Sequence, residues 1–215
     1  MESTDGAVMA FAMPRLYAII DAQMAGRSPA SVAARLLQAG VTLIQYRDKQ
    51  ASSRELYDRC HELGRAIRAA GATFIVNDRA DVALAADADG VHLGQDDLPV
   101  EFARRVLKPG RLVGCSTHNL EQVGAAERSS ADYIAFGPIF ATTSKNNPSP
   151  VVGLEGLRQA RGATRKPLVA IGGITVESAR AAIDAGADSV AVIGGLLNTA
   201  DVEKRAREFL AVLTI

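Results

Sequence analysis

The chain has 215 residues, 48 % of them hydrophobic, enough for one large domain or two small ones. Lys plus Arg and Asp plus Glu each number 24, so the net charge is zero and no basic excess points to nucleic acid. No apolar run approaches the roughly 18 residues of a membrane span. Met1 to Met13 carries Glu2 and Asp5 but no Lys or Arg, unlike the charged start of a secretory signal.

Residues 1–13 are expected to form a flexible extension, with Met9 or Met13 as alternative starts, ahead of a single domain over 14–215. Cys60 falls in a predicted helix and Cys115 in a predicted strand. Both read as small core residues of a reduced, cytoplasmic protein. In chain order, strand one is Arg15 to Asp21, followed by a helix from Ser28 to Gln38 that stops at Gly40. Strand two is Thr42 to Arg47, and its helix runs from Ser53, read as the N-cap, to Ala70 before Gly71. Strand three is Thr73 to Asn77 with a short helix to Ala86, and strand four is Gly90 to Leu93 with a helix after Pro99. Strand five is Leu112 to Cys115, with a helix from Asn119 to Arg128, and strand six is Tyr133 to Phe136. A polar stretch from Ile139 to Val152 exceeds ordinary βα loops and precedes a helix from Leu154 to Arg161. Strand seven, Pro167 to Ile171, leads to a helix from Val176 to Ala185. Strand eight, Ser189 to Ile193, leads to a last helix from Ala200 to Leu213.

Strand and helix thus alternate at a period of roughly 25 residues, which argues for a parallel sheet covered by helices. Eight such units closing on themselves make an α/β protein of the single (β/α)₈ TIM-barrel type. A doubly wound open sheet would want a glycine-rich turn after strand one, and Asp21-Ala-Gln-Met-Ala-Gly26 does not supply it.

In a barrel the C-terminal strand ends face one mouth, and here those ends are polar or glycine-rich. Asp78 and Asp97 follow strands three and four, which lie about 4.8 Å apart, close enough to share a cation. Mg²⁺ held by one or two carboxylates plus substrate phosphates is the usual arrangement, with Asp81 and Asp96 competing for the role. Asp78 alone would read as a helix cap; beside Asn77 and Gln95 the pair favours a metal. Arg47, Lys49 and Lys145 form a basic group with Gln45, Asn77 and Ser116 as neutral hydrogen-bonding partners. A positive strand end abutting an acidic pair suits a diphosphate. Gly172-Gly173 and Gly194-Gly195 follow strands seven and eight, where barrels commonly bind a second phosphate. No histidine has a nucleophile beside it: His92 reads as structural, and His61 as a helix-surface residue.

Gln45-Tyr46-Arg47-Asp48-Lys49, Asn77-Asp78, His92 to Asp97, Ser116 to His118 and Gly137 to Lys145 together resemble the thiamine-phosphate synthase family over most of the chain. The resemblance implies a barrel enzyme that joins hydroxymethylpyrimidine diphosphate to thiazole phosphate and releases pyrophosphate. By the same resemblance Gln45, Tyr46, Arg47, Asp48, Lys49, Asn77, Ser116 and Lys145 would hold the pyrimidine diphosphate. Asp78 and Asp97 would bind one Mg²⁺ per site. Thr142, Thr143, Ser144, Gly172, Val192, Ile193 and Gly194 would hold the thiazole phosphate. Arg47, Lys49 and Lys145 would be catalytic, the last on a closing lid. The family usually carries Pro at Ala141 and commonly Ser at Gly194. The implied partners are small molecules, with no nucleic acid or membrane and with room for a homo-oligomer. A thiazole tautomerase would not need this full diphosphate and metal set, and a non-catalytic phosphate-binding barrel would bind without turnover.

Overall fold

The computed structural model describes residues 11–26, 28–142 and 150–214. Phe11 and Met13, at the end of the expected extension, pack against the core. The strands are β1 (Leu16–Asp21), β2 (Leu43–Arg47), β3 (Thr73–Asn77), β4 (Gly90–Leu93), β5 (Leu112–Thr117), β6 (Tyr133–Phe136), β7 (Leu168–Ile171) and β8 (Ser189–Val192). They pair in parallel in sequence order, and β8 closes back onto β1. The expected (β/α)₈ barrel is the fold.

The helices are α1 (Pro29–Ala39), α2 (Ser53–Ala69), α3 (Ala80–Ala85), α4 (Val100–Val106), α5 (Leu120–Arg128), α6 (Gly153–Ala163), α7 (Val176–Asp184), α8 (Gly194–Leu197) and α9 (Val202–Leu213). Each amphipathic helix turns one stripe to the sheet; α1 buries Val32, Ala33, Leu36 and Ala39. The N-cap of α2 is Ser52 rather than the expected Ser53. Glu55 completes a capping box with Ser52, which the neighbouring serine cannot do one residue out of register. Two further differences lie at strand ends. β5 runs to Thr117, two residues beyond the expected end, because Thr117 pairs with Phe136 of β6. The short α8 opens at Gly194, within the turn that leaves β8.

Because the strands are covered on both faces, most of their residues are buried, and alternation decides which side chains fill the barrel. Inward-facing positions include Tyr17, Gln45, His92, Ser116 and Tyr133, joined by hydrogen bonds across the interior. The Tyr133 ring has room only because Gly114 on neighbouring β5 lacks a side chain: a Cβ there would fall inside that ring. Gly114→Ala is therefore expected to destabilise the fold towards the upper end of the about 1–3 kcal/mol typical of overpacking. In a domain of this size each kcal/mol lowers the melting temperature by roughly 2–4 °C. A melting curve matching wild type would show that the barrel interior yields more readily than this contact implies.

Candidate active site at the barrel mouth

The C-terminal ends of β1 and β2 contribute a buried ion pair. Arg47 donates through Nη1 to the Asp21 carboxylate, and the register sets the two residues directly opposite each other. The sequence marks Asp21 only as the end of strand one; the pairing gives it a role, since it fixes the guanidinium at the mouth. Asp21 also accepts from the Gln23 backbone N–H at 3.0 Å, which ties the loop after β1 to the same carboxylate.

Gln45 faces inward and is buried, with its amide nitrogen 2.6 Å from Tyr17 Oη. Tyr46 alternates to the opposite side. Its ring is fully buried and its hydroxyl donates to Asp48 at 3.1 Å, so it does not reach the mouth. Asp48 accepts from the backbone N–H groups of Gln50 and Ala51 and from Arg59, and these bonds shape the loop after β2. Burial raises the Asp48 carboxyl, but those hydrogen bonds and the Arg59 charge outweigh it and leave its pKa below the ordinary value. Burial pushes the Tyr46 phenol up to about 12. Tyr46 and Asp48, expected at the ligand, bond to each other and, through Asp48, to the loop after β2.

The acidic pair assembles at the ends of β3 and β4. Asp78 adopts a left-handed backbone, φ 62°, and its N–H donates to the His92 carbonyl at 2.7 Å. The N-cap position of α3 is Arg79, with no side-chain cap bond, and the Asp78 carboxylate meets Asp97 and Lys49 instead. Burial raises its pKa, and the adjoining Asp97 carboxyl, hydrogen-bonded to it, raises it further against the opposing charge of Lys49. Lys49 Nζ forms an ion pair with Asp78. Asp97 accepts from the Gly94 N–H at 2.6 Å, closing the turn after β4. Of the competitors, Asp81 is engaged by Arg79 at 2.6 Å and Asp96 is exposed.

Ser116, at the end of β5, lies 2.9 Å from His92 Nε2, and Gln95 reaches across from the β4 loop to donate to the Ser116 carbonyl at 2.6 Å. His92 is therefore a buried, inward-facing contact of a site residue, a role that its position inside a strand does not reveal. His118 instead bonds the Gly137 carbonyl through Nδ1 at 2.6 Å, while His61 is exposed and stacks on Tyr57.

Gly172 and Gly173 both have positive φ, 102° and 64°. The loop after β6 presses on them: a Cβ on Gly172 would come within 2.5 Å of Pro138. Their lack of side chains is needed for that packing, whatever ligand comes near. Phe140 and Ala141 lie against Gly173, and Thr142 follows them in the chain. Val192, at the end of neighbouring β8, and Ile193 are buried, with Gly194 opening α8. Thr143, Ser144 and Lys145 lie outside the described residues.

The mouth thus carries an acidic pair from the ends of β3 and β4, two cations from the end of β2 and the loop after it, and glycine turns opposite. The model of a family described as thiamine monophosphate synthase matches residues 16–196. The chain belongs to this family. Thiamine-phosphate synthase of Koribacter versatilis (strain Ellin345) is 55% identical over 206 residues, covering 94% of this chain and 96% of that protein. Its counterpart in Chloroflexus aurantiacus is 46% identical over 202 residues, covering 94% of this chain and 93% of that protein. Among solved structures, thiamine phosphate pyrophosphorylase from Pyrococcus furiosus superposes with a TM-score of 0.85 at 38% identity, covering 93% of this chain and 95% of that one. The protein is accordingly a transferase of thiamine biosynthesis with thiamine-phosphate synthase function. Among the described residues no helix is long and apolar enough to cross a membrane.

Proposed function

We propose that the enzyme joins hydroxymethylpyrimidine diphosphate to thiazole phosphate, releasing pyrophosphate, at the mouth formed by β1 to β8. The observation that carries this reading is the Asp78–Asp97 pair beside Lys49, with the Asp21-held Arg47 on the neighbouring strand. Two adjoining carboxylates at the ends of neighbouring strands suit a hard divalent cation. Among the described residues no third His, Cys, Asp or Glu completes a protein cage, so ligand phosphate oxygens and water would fill the rest of a Mg²⁺ shell. Bound there by Asp78 and Asp97, Mg²⁺ would neutralise charge on the diphosphate.

The chain's own residues do the remaining work. Arg47, Lys49 and Lys145 stabilise the negative charge that grows on the leaving diphosphate as its bond to the pyrimidine methylene breaks. Gln45, Asn77 and Ser116 orient the pyrimidine half. Thr142, Thr143, Ser144, Gly172 and the turn Val192–Gly194 place the thiazole, whose ring nitrogen forms the new bond to that methylene. A dissociative route of this kind needs no protein nucleophile, in keeping with histidines that serve as hydrogen-bonding partners. The loop that includes Lys145 acts as the lid, and positioning and exclusion of water supply the rest of the rate. Two buried, unpaired cysteines suit a reducing cytoplasm.

The test is pyrophosphate release from hydroxymethylpyrimidine diphosphate with and without thiazole phosphate, in Mg²⁺ or EDTA. Release requiring both Mg²⁺ and thiazole phosphate, with thiamine phosphate formed alongside, is expected. Folded protein that binds the ligands and releases nothing would favour the tautomerase or a non-catalytic barrel. Lys145→Ala is expected to lower kcat by about 100-fold, as for loss of one transition-state donor, while weakening thiazole phosphate binding far less. A larger loss in that binding than in kcat would remove Lys145 from the diphosphate.

A further inference from the structure

Beneath the mouth, inward-facing polar groups link across the barrel. Gln45 Nε2 donates to Tyr17 Oη at 2.6 Å, and Tyr17 Oη lies 2.9 Å from Tyr133 Oη. Tyr133 Oη lies 3.1 Å from His92 Nδ1, and His92 Nε2 lies 2.9 Å from Ser116 Oγ. The groups come from β2, β1, β6, β4 and β5, so the chain of bonds runs from wall to wall. Both ends, Gln45 and Ser116, are residues that the proposed reaction places at the pyrimidine diphosphate. The middle has no part in it so far.

Each link has a direction, and the Gln45 end sets them all. An amide nitrogen only donates, so Tyr17 Oη accepts from Gln45 and its own proton goes to Tyr133, the other hydroxyl within reach. Tyr133 accepts that proton and donates its own to His92 Nδ1. A neutral imidazole that accepts at one nitrogen carries its hydrogen on the other, so His92 Nε2–H donates to Ser116 Oγ. Ser116, already accepting, offers its O–H to the mouth. Burial raises both phenols far above the ordinary tyrosine value, so each stays protonated and remains a hydrogen-bond donor. The opposite polarity would aim the Tyr17 proton at an amide N–H₂ in the barrel interior, where an unmet donor costs about 1–3 kcal/mol.

We infer that Tyr17, Tyr133 and His92 are positioning residues that hold His92 as the Nε2–H tautomer and so present Ser116 to the mouth as a hydrogen-bond donor. The inference rests on the proposed synthase reaction. The acceptor is an oxygen of the diphosphate, which becomes more negative as the carbon–oxygen bond breaks. A donor there contributes more in the transition state than in the bound substrate. A Ser116 turned the other way would face that oxygen lone pair to lone pair.

Long-range nitrogen–proton NMR spectra of the full chain labelled with ¹⁵N-histidine read the tautomer directly, with His92 assigned by its loss in His92→Gln. The neutral Nε2–H pattern is expected in the free protein, and an Nδ1–H pattern would overturn the inference. No substrate is needed, so this failure is distinct from failure of the synthase reading, which shows as absent pyrophosphate release. Tyr17→Phe then keeps the Tyr133–His92 bond but removes its direction. It is expected to give His92 as a mixture of tautomers and to lower kcat about tenfold, the lower end for an orienting partner. KM for the pyrimidine diphosphate is expected to stay within about twofold. Tyr133→Phe should shift both readouts the same way and more strongly, and Tyr17→Phe stands alone if that variant does not fold. A lower melting temperature with unchanged kcat would reduce the network to packing and overturn its positioning role.

Discussion

Replacing Asp97 with asparagine is expected to cut turnover by about 100-fold or more while leaving the barrel folded. The magnitude is that of removing one preorganised charge-stabilising group from a reacting site. Asparagine is the better probe than alanine because the Asp97 carboxylate also accepts the Gly94 N–H at 2.6 Å and so closes the turn after β4. The asparagine side chain would keep that acceptor and remove only the charge shared with Asp78. The Mg²⁺ concentration for half-maximal rate should rise together with the loss in kcat. Asp97→Ala should lose at least as much activity and also loosen the turn, a local cost of about 1 kcal/mol for one hydrogen bond. Near-normal turnover of Asp97→Asn at limiting Mg²⁺ would remove this residue from the metal site.

Removing Asp21 is expected to have the next largest effect, although this residue touches no ligand in the proposed reaction. Asp21 and Arg47 are paired side chain to side chain, with only 2% and 14% of their side-chain surfaces exposed. Breaking such a pair from one side leaves a largely buried guanidinium without its counter-charge, at a cost of about 3 kcal/mol or more. With roughly 2–4 °C per kcal/mol in a domain of this size, the melting temperature should fall by roughly 6–12 °C for Asp21→Ala. The freed Arg47 should also raise KM for the pyrimidine diphosphate about tenfold or more, because the cation no longer starts in place. The double variant Asp21→Ala/Arg47→Ala should recover part of the stability, since neither buried charge is then left alone. Unchanged stability and KM in Asp21→Ala would mean that other groups hold Arg47.

The residues that bear charge at the mouth were legible in the sequence because a parallel strand ends abruptly. An apolar run such as Phe74-Ile75-Val76 stopping at Asn77-Asp78 marks both the strand and its polar C-terminal end. Contiguity with Arg47 does not show where the Tyr46 side chain turns: the period-two alternation sends it to the outer face, with its hydroxyl on Asp48. The cap of α2 slipped by one residue for a related reason. Ser52 and Ser53 are equivalent by type, and only the reciprocal bond with Glu55 separates them.

The sequence by itself determined the barrel, its strand order and the charged rim, because hydrophobic periodicity and strand-end chemistry are local properties of the chain. Only the tertiary structure decided which buried polar side chains meet. Tyr17, Gln45, His92, Ser116 and Tyr133 are up to 116 residues apart along one bond, Tyr17 to Tyr133, and no local pattern marks them as partners. Closure of the sheet turns alternate residues of β1, β2, β4, β5 and β6 into one interior, where a polar group must find a hydrogen bond or bear the cost of desolvation.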